Sequence, residues 1–252
     1  MKRLRISSLV DKSECIPYNK SSRERGERMK KSWKELCSRY KGLTVMAIYC
    51  VVYLAAFYYL EHRNISYHVI HFGIDAYIPF CEYFIVPYLL WFAYVALAVV
   101  YFGIKDQEEG NKLIAFLIAG MTIFLVVSAV FPNGLHLRPK TFARDNIFVD
   151  MVKKLYMIDT STNVISSIHV YNSIAVMIAV WRTKLLEKHK VIKSGMMLLG
   201  ISIICSTVLL KQHSMLYVLV AFILAALIYT VCYREEVATR TSVSRTKAKL
   251  KY

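Results

Sequence analysis

Six apolar runs, at roughly residues 44–60, 80–103, 112–131, 164–181, 195–211 and 214–233, constrain this chain more than any other feature. A helix rises 1.5 Å per residue, so about 17–25 residues cross roughly 30 Å of hydrocarbon. The runs are apolar on all sides, as suits segments whose backbone groups are satisfied within each helix. Strands of a membrane barrel would instead alternate over about ten residues. The expected fold class is therefore an all-α integral membrane protein, a bundle of six transmembrane helices. With 56% hydrophobic residues and a mean hydropathy of +0.40, the chain is too apolar for a soluble domain that must also solvate its surface.

The net charge of +16 could in isolation suggest nucleic acid, but its distribution argues against such a partner. Lys and Arg crowd three places: the first 41 residues (Lys2, Arg3, Arg5, then Arg23 to Lys41), the linker Arg182 to Lys193, and the tail Arg234 to Lys251. All three fall on one side of a six-helix path. By the positive-inside rule that side is cytoplasmic, with both termini inside and outer loops near residues 61–79, 132–163 and 212–213. The organisation read from this is a basic tail (1–43), a membrane domain (44–233) and a second basic tail (234–252). The polar N-terminus lacks the apolar core of a cleavable signal, so the first run is expected to act as an uncleaved signal anchor. Basic tails beside a membrane attract anionic lipids at about 1 kcal/mol per well-placed cation, or they only set orientation. The cysteines at 15, 37, 50, 81, 205 and 232 show no metal or disulfide spacing, and no cofactor is implied. Asn64-Ile65-Ser66 matches a glycosylation acceptor, a short and weak motif.

Ionisable residues are costly in a bilayer, so those retained at helix ends are candidates for chemistry. His169 stands at the outer start of the fourth run and His213 at the outer turn between the fifth and sixth. The expected topology brings both to one depth, together with Arg138 of the outer loop 132–163. Glu82 could pair with a loop Arg, and Asp159 and Asn163 could cap the fourth helix. Tyr67, Tyr77, Tyr83, Tyr88 and Trp91 read as an interfacial aromatic belt.

The order Arg138-Pro139, Ser167-Ile168-His169, and Ser206 followed seven residues later by His213 resembles the type 2 phosphatidic acid phosphatase superfamily. It particularly resembles the sphingomyelin and inositol phosphorylceramide synthase-like branch, and the stretches Tyr77-Ile78-Pro79-Phe80-Cys81-Glu82-Tyr83 and Thr162-Asn163-Val164 through Val170-Tyr171-Asn172 look like a bacterial-type subgroup of it. The likeness covers roughly residues 75–233, with the motifs in 138–217. It implies a lipid phosphate phosphatase or phosphotransferase at the outer leaflet, with a membrane lipid phosphate as substrate and no metal. His213 would attack phosphorus to give a phosphohistidine, and His169 would act as general acid. Arg138 would clamp phosphate and Ser167 would bond one of its oxygens. Ser206 belongs to the same motif, and Lys211 could supply a further charge. The chemistry explains these types: fixed cations hold the nonbridging oxygens, a nucleophile lies in line, and an acid protonates the leaving oxygen.

The chain departs from the family pattern at several positions. Tyr217 stands where the family has an Asp that orients the nucleophilic His, Thr207 where it has a second Arg, and Ser166 where the subgroup has Pro. On one continuous helix, residues 213 and 217 would share a face one turn apart. Glu82 or Asp159 could replace the missing carboxylate. Two other classes remain open: a noncatalytic relative serving as a lipid-binding or assembly subunit, and a membrane transporter. A transporter would gather its polar residues at the bilayer midplane. The expected location is the plasma membrane, with the site facing outward.

Overall fold

The structure is a computed structural model that describes residues 20–70, 72–163, 165 and 167–233, with side chains from residue 40 onward. The extreme N-terminal cations, the C-terminal basic tail and Ser166 lie outside the described residues. Contacts divide the chain after Arg39, and residues 40–252 form the unit that carries the features below.

Seven α-helices are described: α1 (Lys20–Glu61), α2 (Ile85–Lys105), α3 (Gln107–Val130), α4 (Ile147–Ile158), α5 (Ile168–Arg182), α6 (Lys190–Leu209) and α7 (Met215–Cys232). Five segments are long and apolar enough to cross a membrane: Tyr40–Glu61, Glu82–Lys105, Gln107–Val130, Lys190–Leu209 and Met215–Cys232. The chain is thus a mostly helical membrane protein. The fourth apolar run forms only the 15-residue α5, about 22 Å long at 1.5 Å per residue. Just before it, Asn163 has a left-handed φ of 52° and Ser167 caps the helix, accepting from the Val170 N–H at 3.4 Å. The cap that was open to Asp159 or Asn163 is therefore made by Ser167, and Asp159 closes the C-terminus of α4 instead.

Helix α5 is the centre of the bundle, touching α2, α3, α6 and α7. Close approach to α3 depends on Gly120, where a Cβ would overlap the Tyr171 ring. The Tyr171 hydroxyl donates to the Phe116 carbonyl at 2.9 Å, using a helix carbonyl to satisfy a buried phenol. At the far end, Thr183 donates to Asp106 at 3.0 Å, and Tyr233 donates to Glu109 at 2.8 Å beside Arg182.

At the opposite end, three loops are tied together. Strand β1 (His68–Val69) pairs in parallel with β2 (Asn133–Gly134), and Gly134 bridges to Thr162. The tie is Asn133, fully buried: its amide donates to the Phe131 carbonyl at 2.9 Å and its side-chain oxygen accepts from the Ile165 N–H at 2.9 Å. Within the loop read as 132–163 lies α4, which buries Val149 and Val152 while exposing Ile147, Met157 and Ile158. Such a helix, apolar on two faces with a charged flank, suits a membrane interface.

Candidate functional site

His169 occupies the first turn of α5, where the Ser167 cap fixes its backbone. Its ring is 7% exposed and lies between aromatic faces: Tyr88 at 4.5 Å, Trp91 at 4.1 Å and, edge-on, Phe92 at 6.4 Å. Tyr88 and Trp91 are buried neighbours of this imidazole, not members of an interfacial belt. Neither ring nitrogen of His169 has a hydrogen-bond partner among the described residues.

His213 comes from the turn after α6. Lys211 takes a left-handed φ of 54°, and the N–H groups of Gln212 and His213 both donate to the Thr207 carbonyl at 3.0 Å. The turn thereby reverses the chain and aims His213 inward. The two imidazoles stand 6.0 Å apart between ring centroids. Both line a cavity of ≈ 40 Å³ together with Asp159, Thr162, Asn163 and Gln212. At roughly 10–15 Å³ of such space per water, that volume holds a few waters between the two rings.

Arg138 reaches the same place from the loop after β2. It donates to the carbonyls of Tyr156 at 3.0 Å and Asp159 at 2.7 Å, and to Gln212 Oε1 at 2.6 Å, with its plane 4.5 Å from the Tyr156 ring. Burial lowers its pKa, opposed by Asp159 and Tyr156. Asp159 Oδ2 accepts from the Tyr88 hydroxyl at 2.9 Å and from Gln212 Nε2 at 3.3 Å. Burial raises the Asp159 pKa, while the Tyr88 hydrogen bond and the Arg138 charge oppose the rise. Gln212 thus bridges cation and carboxylate, one residue before His213.

The other sequence candidates have structural partners. Ser206 is buried and donates to the Ile203 carbonyl at 2.6 Å, and Thr207 to Ile204 at 2.8 Å. Lys211 donates to the carbonyls of Asp75 at 2.8 Å and Ile78 at 2.5 Å, fastening the loop before α2; burial lowers its pKa and Asp75 opposes this. Glu82 accepts from Arg144 at 3.0 Å and Asn146 at 3.1 Å, the pairing with a loop Arg that the sequence allowed. Tyr217 does not face His213 across a helical turn, because α7 begins at Met215 with Ser214 as its cap. It is 1% exposed, packs with Leu135, and its hydroxyl has no partner among the described residues.

Asp75, Tyr88 and Gln212 were not legible as functional residues. Asp75 is 1% exposed and accepts from the Ser214 hydroxyl at 2.5 Å and the Met215 N–H at 2.8 Å, a carboxylate at the positive end of α7. The sequence signal for it was an acid in the short apolar stretch just before the second run. Among the described residues, no three His, Cys, Asp or Glu gather to hold a metal ion. Comparison with family models, curated proteins and solved structures finds no match to this chain.

Proposed function

We propose that the chain hydrolyses or transfers the phosphate of a membrane lipid, with His213 as nucleophile and His169 as general acid. The observation that carries this reading is the meeting of two buried imidazoles, 6.0 Å apart, beside an Arg138 joined to His213's neighbour Gln212. A ring nitrogen of His213 bonds to phosphorus as the P–O bond to the lipid breaks, and His169 protonates the departing oxygen. Water or a lipid hydroxyl then attacks phosphorus, the P–N bond breaks, and His169 takes the attacking group's proton. Arg138 offers positive charge to the nonbridging oxygens once its bond to Gln212 exchanges for phosphate. In this reading Asp159 supplies the carboxylate of the site, acting on the His213 turn through Gln212 and not by a direct bond to the imidazole. The proposed location is the plasma membrane, with this end facing outward.

The test uses the purified chain in lipid vesicles and phosphatidic acid labelled in its phosphate. Label should enter the wild-type protein in an acid-labile, alkali-stable form, be lost in His213→Ala and form at least about 100-fold more slowly in His169→Ala. Equal turnover in wild type and His213→Ala would end this mechanism.

A second reading, a noncatalytic lipid-binding relative, is favoured by one observation. The terminal guanidinium nitrogens of Arg138 and two of the three ammonium protons of Lys211 are engaged by protein acceptors, and Tyr217 sits in an apolar cluster. It becomes the better reading if no label and no turnover appear on phosphate monoesters and diesters while lipid binding persists.

A further inference from the structure

From the middle of the bundle toward the end away from the histidines, two cavities join along one wall. The first, ≈ 480 Å³, runs between α5, α6 and α7 and is walled by apolar side chains such as Ile178, Ile204 and Phe222, with Arg182 at one end. The second, ≈ 450 Å³, is bordered by Lys190, Lys193 and Ser194 at the start of α6. Trp181, Met197 and Ile201 line both, so one groove passes from an apolar compartment to a basic one. Each compartment has the size of a small-molecule site, about 300–1,000 Å³.

We propose that this groove is a binding site for an anionic diacyl phospholipid, separate from the histidine site. An acyl chain lies against Ile178, Ile204 and Phe222, and the phosphate meets Lys190, Lys193 and Ser194. Charge complementarity selects the headgroup: residues 182–193 carry Arg182, Lys184, Lys188, Lys190 and Lys193 against one acid, Glu187. Lys193 uses one donor on the Trp181 carbonyl at 2.8 Å and lies 4.9 Å from the Trp181 ring, which leaves two ammonium protons for phosphate. Trp181 is 67% exposed, an aromatic side chain at the junction of the two compartments, where an interfacial anchor belongs. The start of α6 adds backbone N–H groups without a side-chain cap. Helix α6 has 20 residues and is thus about 30 Å long, which puts this site at the opposite membrane face from His213. A second apolar cavity, ≈ 470 Å³, between α2 and α6 has Lys105 as its single cation and provides an internal control.

The experiment uses the full chain with Trp181 as its sole tryptophan (Trp33→Phe, Trp91→Phe) in mixed vesicles. Trp181 fluorescence is quenched by acyl-brominated phosphatidylglycerol in a phosphatidylcholine background, or by brominated phosphatidylcholine in a phosphatidylglycerol background. Quenching at a several-fold lower mole fraction of the anionic lipid is expected. Lys190→Gln and Lys193→Gln should each reduce that preference roughly fivefold, the contribution of one interfacial cation, and Lys105→Gln should leave it unchanged. Native mass spectrometry of retained lipid repeats the comparison with all tryptophans in place. Equal quenching by both lipids, a preference that survives the double lysine variant, or an equal loss in Lys105→Gln would each overturn the proposal.

Discussion

His169 shows in one residue how stability and chemistry compete. Its imidazole is buried with both nitrogens lacking a partner among the described residues, an arrangement that costs about 1–3 kcal/mol where water or ligand does not fill the gap. His169→Phe, which keeps a ring against Tyr88 and Trp91, should raise thermal stability by about 1 kcal/mol while abolishing phosphoenzyme formation; a fall in melting temperature would show that the imidazole is satisfied. At Tyr217 the expectation reverses. An Asp there cannot reach His213 by helical spacing and would be buried near Asp75, so Tyr217→Asp should lose about 3–5 kcal/mol without gaining activity. Tyr217→Phe should stay within about 1 kcal/mol of wild type, and a phosphatase gain in the Asp variant would contradict this reading. Asp159 supplies a pH test. Its raised pKa favours the protonated form in the fold, so the associated stability is present at low pH and lost as pH rises from about 4 through the folded value. Asp159→Asn should melt with wild type near pH 4 and above it at neutral pH; identical profiles would mean that Asp159 does not ionise in that window. His169, His213 and Arg138 could be picked out because their types and spacing matched a known chemistry. Gln212 and Tyr88 could not, since a single amide and a single phenol carry no spacing of their own.

Among the elements, the long apolar helices were legible because uninterrupted hydropathy needs no partner to be recognised. The short ones were not. Helix α4 has an amphipathic pattern within a polar loop, so hydropathy alone gave no reason to separate it from the loop. Helix α5 begins later than its apolar run because Asn163 and Ser167 divert the backbone, and the Asn133 tie that holds this detour comes from a loop some thirty residues earlier. Packing between helices was equally hidden: Gly120 looks like any glycine in a membrane run until Tyr171 is seen lying across it. Gly120→Ala should force α3 and α5 apart, at a cost of about 1–3 kcal/mol. Thermal melting in detergent checks this, and an unchanged melting temperature would mean that the Tyr171 ring turns aside freely.

For the whole molecule, the sequence pattern predicts six crossings and the structure provides five helices that meet the length and hydropathy of a span, with α5 enclosed among them. Orientation follows from the charge pattern and can be measured. In a cysteine-free background, Tyr77→Cys, at an 88% exposed position, should react with an impermeant thiol label on intact cells. Lys188→Cys, in the basic linker, should react only after permeabilisation, and the opposite result would turn the site to the other leaflet.

The brevity of α5 has one more consequence. The cavity at its start is also lined by Phe57 and Phe124, which lie four residues before the end of α1 and six before the end of α3. It is therefore recessed by roughly 6–9 Å below those helix ends. A phosphate held at headgroup altitude in a thick bilayer passes above it, whereas a thinner leaflet lowers the phosphate toward the imidazoles. Turnover should accordingly rise as vesicle acyl chains are shortened and fall as they are lengthened, at constant headgroup composition, so that the protein would act preferentially on the thin regions of its membrane.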